Sequence, residues 1–301
     1  LDLYADPINT SIENASQFTS QLGGSAANIA AGLAIQGNNV DLMSPISNDA
    51  IGDFVINSCK KIGINTLLLE RVSNLKNTLA IVDTMGDKTN AVLYREKPAD
   101  LFIDETFLKK INLDSYLMII VTGTSLSRNP SRNNVLKLME LAVKRKIEIV
   151  LDIDYREGSW DDKKKAEKTL YSASLLSNIV VGNDLEFNFM SSDKNRGLSL
   201  ASKLSKKNRI TTIYKMGSEG LFYFDKKNKY FFKSFKVKSI KPTGAGDAFI
   251  SSFCSSKLRG VELSKSIKFG AAAGAIVVTR VGCSKAMPTL LEIKEFIKNY
   301  N

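Results

Sequence analysis

Thr243-Gly244-Ala245-Gly246-Asp247-Ala248-Phe249 is a glycine-rich turn with a carboxylate directly behind it, and it leads into an apolar stretch that predicts a helix over 245–257. Small residues leave backbone N–H groups open to an anion, the start of a helix adds positive partial charge, and Asp247 is placed to take a proton from an attacking hydroxyl. That combination suits phosphoryl transfer. The chain has no histidine, so a general base near neutral pH must be a carboxylate, a lysine or a cysteine, and Asp247 is the best placed of these. A GxG before a helix is also an ordinary tight turn. It is not a dinucleotide fingerprint, because Phe249 stands where the third glycine would be.

Outward from this stretch, β-rich runs alternate with helical segments over most of the 301 residues. Residues 117–121, 147–153, 178–181 and 210–214 read as buried strands, and helices are expected over 24–36, 50–61, 131–146, 161–177, 184–190, 196–207, 245–257, 262–279 and 289–299. The alternation argues for an α/β class with a largely parallel sheet covered by helices, and ligand groups should collect at the C-terminal ends of its strands. The length fits one large domain or a domain with a small appendage. One segment breaks the rhythm: 78–85 and 89–96 alternate around Gly86-Asp87 as a hairpin. With Leu3-Tyr4 and Ile8 from residues 1–22 it is expected to form a small sheet, either a lid over a pocket or a subunit contact. The pair Arg95-Glu96 favours the lid. The chain starts at Leu1 rather than at Met, and a first strand upstream is expected to be missing.

Composition sets further bounds. Hydrophobic residues make up 44% and charged residues 24%, ordinary values for a globular protein, and no run of about 18 apolar residues is present to span a membrane. The formal net charge of +11 comes from lysines scattered over helix faces and hairpins, such as 163–165, 206–207 and 226–229, so a solvated surface is favoured over a nucleic-acid patch. A basic surface still steers anionic substrates inward. Cys59, Cys254 and Cys283 are odd in number and widely spaced, with no CxxC pair. They read as reduced core thiols of a cytoplasmic protein.

Four more groups carry chemistry. Gly23-Gly24-Ser25-Ala26-Ala27-Asn28 opens an alanine-rich helix, and its small residues permit either close approach to a ligand or tight packing on a sheet. Asn183-x-x-Glu186 places an amide and a carboxylate on one helical face after a strand; a helix cap would look the same, while Mg²⁺ often needs only one or two carboxylates besides substrate phosphates. In Lys215-Met216-Gly217-Ser218-Glu219-Gly220 the glycines bring backbone amides toward phosphates or simply make a turn into a hairpin over 221–224 and 229–235. Asp152-Ile153-Asp154-Tyr155-Arg156 ends a strand with two carboxylates and a guanidinium, either a structural ion pair or a fork for an anionic ligand.

GGxxxN early, NxxE in the middle, GxxG after a strand and TGAGDAF late resemble, in order and spacing, the ribokinase-like (PfkB) sugar kinase family over essentially the whole chain. The resemblance implies a three-layer α/β/α ribokinase-like fold with a mostly parallel central sheet and a small β lid built from about 1–22 and 75–98. It implies a phosphotransferase that uses ATP and Mg²⁺. Asp247 is then the catalytic base, with Gly244, Ala245 and Gly246 as the anion hole. Asn183 and Glu186 organise Mg·ATP, Glu186 through water, with Lys215, Gly217 and Gly220 on the nucleotide. Asp2, Gly23, Gly24 and Asn28 face the sugar. A narrower set, Leu1-Asp2-Leu3-Tyr4, Tyr94-Arg95-Glu96 with Ala99-Asp100, Val121-Thr122-Gly123-Thr124, 151–156 and Ala286-Met287-Pro288-Thr289, is similar to a branch of that family acting on a sugar acid, for which Arg95, Asp154 and Arg156 are acceptor-side candidates. Other acid sugars and fructose stay open as acceptors, and a non-catalytic sugar- or nucleotide-binding protein is a distant alternative. The family also implies a homodimer through the lid as an option, while the composition argues against a nucleic-acid or membrane partner. One departure stands out: many members carry an acidic residue two positions before the motif threonine that helps hold a monovalent cation, whereas Lys241 stands here. A charged lysine cannot ligate K⁺, which puts cation activation in doubt, and its own charge is a candidate substitute.

Overall fold

The computed structural model describes residues 1–301 except Asp87, Lys194, Arg209, Lys227, Pro242 and Asn301. The turn residue Asp87 and the Pro242 of the approach to the motif therefore lie outside the described residues. In chain order the elements are β1 Asp2–Asp6, β2 Gln17–Gln21, α1 Ser25–Ile35, β3 Ser44–Ser47, α2 Ala50–Ile62, β4 Leu69–Val72, β5 Leu79–Met85 and β6 Lys88–Tyr94. There follow α3 Glu105–Lys110, β7 Met118–Thr122, α4 Ser131–Lys144, β8 Glu148–Asp152, α5 Lys163–Leu176, β9 Ile179–Asn183, α6 Asp184–Met190, α7 Gly197–Asn208, β10 Thr211–Lys215, β11 Leu221–Asp225 and β12 Asn228–Phe232. The chain closes with α8 Ala245–Leu258, α9 Leu263–Val277 and α10 Leu290–Asn299. The predicted helices and strands are present with ends shifted by a few residues; β3, β4 and α3 were not anticipated.

The chain divides into two compact units, one of residues 1–100 with 235–301 and one of 101–234. In the second unit the sheet order among the described residues is β12-β11-β10-β9-β8-β7. β7, β8, β9 and β10 run parallel, and β11 and β12 add an antiparallel hairpin at one edge. Parallel strands covered by helices are apolar throughout rather than alternating. Ile149, Val150 and Leu151 on β8, Val180 and Val181 on β9 and Ile213 on β10 are accordingly all buried. The register sets Thr122 opposite Asp152 and Asn183 opposite Lys215, so polar residues line up where the strands end.

In the first unit the small sheet has the order β2-β1-β5-β6. β1 pairs antiparallel with β2 and parallel with β5, and β5 and β6 form the expected hairpin. Its core is a cluster that joins Ala27, Ala30 and Ala31 of α1 to Ala248 of α8 and Ala272, Ala273 and Ile276 of α9. Small side chains there let the helices approach closely. The alanine run of α1 thus packs the core against helices α8 and α9, rather than on a sheet as one reading of its sequence had it.

Candidate active site

In the first unit the motif turn folds as the sequence implies. Gly244 caps α8 in the left-handed region at φ 85°, and a Cβ there would lie 3.2 Å from Cys283 Sγ and 3.3 Å from Val277 Cγ1, so both conformation and space ask for glycine. Ala245 and Gly246 form the first turn, whose N–H groups have no intrahelical partners and concentrate the positive end of the helix dipole. Asp247 follows in that same turn. Its Oδ1 accepts a hydrogen bond from Ser25 Oγ at 2.8 Å, and its Oδ2 accepts one from Asn28 Nδ2 at 2.8 Å. Two donors on opposite oxygens fix the carboxylate plane. Through Ser25 and Asn28 the early motif therefore orients the Asp247 carboxylate. Ser25 was missed as a functional residue because it reads locally as one more small helix-start residue.

Asp2 stands at the start of β1, opposite Gln21 on β2. A Cβ on Gly23 would collide with the Asp2 carboxylate, so this glycine is required by the close approach of that side chain. Burial pushes the Asp2 carboxyl above its ordinary range, opposed in part by the Tyr4 hydroxyl that donates to it at 3.2 Å. Gly24 caps α1. Asn28 Oδ1 and Gln21 Oε1 are buried oxygens that accept no hydrogen bond among the described residues. Orphaned buried acceptors are rare and fit donors brought by a ligand, such as sugar hydroxyls. Arg95, just beyond β6, pairs with Asp100 at 2.6 Å with its side chain 18% exposed, and Asp100 also accepts from Thr78 Oγ1 at 2.7 Å.

Lys241 is 1% exposed. Its ammonium donates to the Thr243 carbonyl at 2.7 Å and stands 3.5 Å from Cys283 Sγ, which in turn lies 3.3 Å from the Tyr4 hydroxyl. Burial raises the Cys283 thiol, with the ammonium pulling the other way. All three cysteines are buried and free, as expected of core thiols.

The second unit assembles its own cluster at the strand ends. Asn183 closes β9 and caps α6: its Oδ1 accepts from Glu186 N at 2.9 Å, and Glu186 Oε2 accepts from Asn183 N at 2.7 Å. This is a capping box, the structural alternative the sequence had allowed, and it holds Glu186 in a fixed orientation. Burial pushes the Glu186 carboxyl up; Lys215 and the Asn183 N–H oppose this, and Asp154 adds to it. Asp154, 3% exposed and at φ 33°, accepts from Thr124 Oγ1 at 3.0 Å and pairs with Arg156 Nε at 3.0 Å. The Arg156 side chain is 68% exposed. Gly217 opens and Gly220 closes the short turn after β10, where Met216 N donates to Gly220 O at 2.8 Å.

Among the described residues no helix is long and apolar enough to cross a membrane. Solved structures share the fold over nearly the whole chain. A fructokinase with bound ATP from Xylella fastidiosa has a TM-score of 0.85 at 22% identity, covering 99% of this chain and 95% of that one. An E. coli protein assigned as a ribokinase II, in complex with ATP and Mg²⁺, has a TM-score of 0.86 at 20% identity, covering 99% and 96%. The three-layer α/β/α ribokinase-like class is thereby established. Among curated relatives, the 5-dehydro-2-deoxygluconokinase of Clostridium tetani is 34% identical over 99% of this chain and 90% of its own, and that of Listeria innocua is 32% identical over 99% and 93%. The model of the pfkB family carbohydrate kinases matches residues 1–290, which takes in the early motif, the capping box and the oriented Asp247 alike. A match of that extent, on a chain that builds the motif geometry in full, makes this protein a member of the pfkB family of carbohydrate kinases.

Proposed function

We propose that the protein transfers the γ-phosphoryl group of ATP to the primary hydroxyl of 5-dehydro-2-deoxy-D-gluconate, giving the 6-phosphate. The observation that carries the reading is the Asp247 carboxylate, held by Ser25 and Asn28 in the first turn of α8. Asp247 accepts the hydroxyl proton as the oxygen attacks phosphorus, and the N–H groups of Gly244, Ala245 and Gly246 take up the charge on the transferred group. The acceptor's own hydroxyls meet Asp2 and the orphaned Asn28 Oδ1 and Gln21 Oε1.

The nucleotide side belongs to Asn183, Glu186, Lys215, Gly217 and Gly220. The donor chemistry of this cluster fits Mg²⁺, a hard cation that keeps several waters; Glu186 would hold it through water, beside substrate phosphates. Bound there, it would supply charge neutralisation to the phosphates. The choice of acceptor is supported by the names and identities of the relatives. Arg156, a largely exposed guanidinium braced by Asp154, and Arg95 supply positive charge suited to the acid's carboxylate.

The β2-β1-β5-β6 sheet is the lid in this reading, carrying Asp2 on β1 and closing over the acceptor beside Asn28 to exclude water. Its edge strand β6 exposes Val92, Leu93 and Tyr94, and a second copy of the chain would pair on the same sheet. Replacing the hairpin by a short turn should raise ATP hydrolysis relative to transfer; an unchanged ratio removes the lid. The deciding assay is ADP release and phosphosugar formation with 5-dehydro-2-deoxygluconate, 2-keto-3-deoxygluconate and fructose side by side. A higher kcat/KM on either of the last two reassigns the substrate, and no transfer to any sugar leaves a binding protein.

A further inference from the structure

A lysine ammonium taken wholly out of water is costly unless acceptors or opposite charges compensate it. Lys241 is such a group, and among the described residues no carboxylate forms an ion pair with it. What it touches instead is the backbone of the motif turn, through the Thr243 carbonyl at 2.7 Å, and the Cys283 thiol on which Gly244 rests. We propose that Lys241 is a positioning residue for phosphoryl transfer, an internal cation that orients the Thr243–Gly244 peptide and supplies the fixed positive charge behind the anion hole. This rests on the kinase reading above.

The geometry works through the peptide plane. In a trans peptide the C=O and the following N–H point to opposite sides. With the Thr243 carbonyl held on the ammonium, the Gly244 N–H is turned away from it, adding one oriented donor to those of the first turn of α8. The charge then acts along that dipole. A second line of contacts runs from Lys241 through Cys283 Sγ and the Tyr4 hydroxyl to Asp2, so the turn and the acceptor-side carboxylate share one buried network. The ammonium also offsets the cost of burying Asp2. A monovalent cation does not fit this place: the residue two positions before Thr243 brings a positive charge of its own, and the thiol beside it is a poor ligand for a hard cation.

The test uses the full chain with ATP·Mg and the sugar acid, in chlorides of K⁺, Na⁺ or tetramethylammonium at constant ionic strength. Wild-type kcat should agree within about twofold across the three salts. Lys241→Met, neutral and of similar length, should lower kcat roughly ten- to a hundredfold, since removing one donor from such a hole outright costs about 10²–10³, while both KM values stay within about threefold. Lys241→Ala should regain activity about fivefold or more in methylammonium, which can enter the vacated space, and not in tetramethylammonium. Activation of the wild type by K⁺ over Na⁺ well beyond about twofold, or a Lys241→Met kcat within about twofold of wild type, overturns the proposal. If Lys241→Met does not fold, the methylammonium response of Lys241→Ala decides in its place, and its absence is fatal. Calorimetric binding of inorganic phosphate needs no sugar: it should weaken about fivefold or more in either variant, and equal affinity refutes Lys241 even if the kinase reading itself has failed.

Discussion

Asp247→Asn separates chemistry from architecture. The wild-type carboxylate accepts from Ser25 Oγ and Asn28 Nδ2, each at 2.8 Å. Asparagine at 247 keeps one oxygen and replaces the other by an NH₂ group, which at first sight sets a donor against Asn28 Nδ2. Asn28 has a remedy, because its Oδ1 is buried without a partner, and rotating the amide by half a turn presents an acceptor to the new NH₂. Both contacts then survive, and stability should change by less than about 1 kcal/mol. Asp247→Ala has no such remedy. It strips two charge-assisted bonds and leaves Asn28, 5% exposed, with an unpaired amide, a loss of about 1.5–3 kcal/mol. Thermal unfolding should therefore rank Asn close to wild type and Ala lower by several degrees. Coupled ADP release should show both variants slowed by ~10²-fold or more if Asp247 accepts the proton. An Asn variant that folds as the wild type does and turns over within about tenfold of it would refute the base assignment.

Glu186→Gln should slow turnover yet stabilise the fold at alkaline pH. Burial raises the folded carboxyl above its ordinary 4.5, so the stability linked to it is complete below 4.5 and is lost as pH rises through the folded value. Glutamine escapes that loss while its oxygen can still cap Asn183 N, and melting curves at pH 8 and pH 4 should show the gain only at the higher pH. Asp49, which caps α2, has the opposite sign. The Ser47 hydroxyl and Lys76 hold it down at about 2, so its stabilisation is present above 3.8 and fades as pH falls toward 2. Asp49→Ala should cost about 0.5–2 kcal/mol in denaturant unfolding at neutral pH, and a smaller effect there contradicts the cap. Arg156→Ala should raise KM for the acidic sugar roughly tenfold with little change for ATP, whereas Arg95→Ala should also lower the melting temperature, because Arg95 braces Asp100. Equal losses on a neutral analogue would show that neither arginine reads the acid's charge.

Local rules made most of the architecture legible and little of the wiring. The strands of the second unit were readable because parallel strands buried on both faces leave continuous apolar runs, and the 78–96 hairpin because alternation around Gly86 has no helical counterpart. β3 escaped because Ser44-Pro45-Ile46-Ser47 is four residues long, with two serines and a proline; what makes it a strand is its pairing with β4. α3 is only six residues, below the length at which periodicity speaks. Within the candidate site, Asp247 and Gly244–Gly246 were singled out by the glycine-rich turn together with the family resemblance. Ser25 was not, since its partner lies 222 residues away and no local pattern carries that information. Lys241 stood out as an anomalous charge before the motif, but its burial beside Cys283, 42 residues away, was not legible for the same reason.

The division of the chain has a consequence for how the enzyme comes into being. Residues 101–234 are one uninterrupted stretch, whereas the unit that carries Asp247 is built from residues 1–100 and 235–301. During synthesis the first of these can condense as soon as it leaves the ribosome, while α1 must wait with its small-residue face uncovered until α8 and α9 arrive. Ser25 and Asn28 are made early and have nothing to orient until Asp247 follows more than 200 residues later. A product stalled before Asp247 could therefore hold the strand-end cluster of residues 101–234, capping box included, and still lack the carboxylate that Ser25 and Asn28 hold.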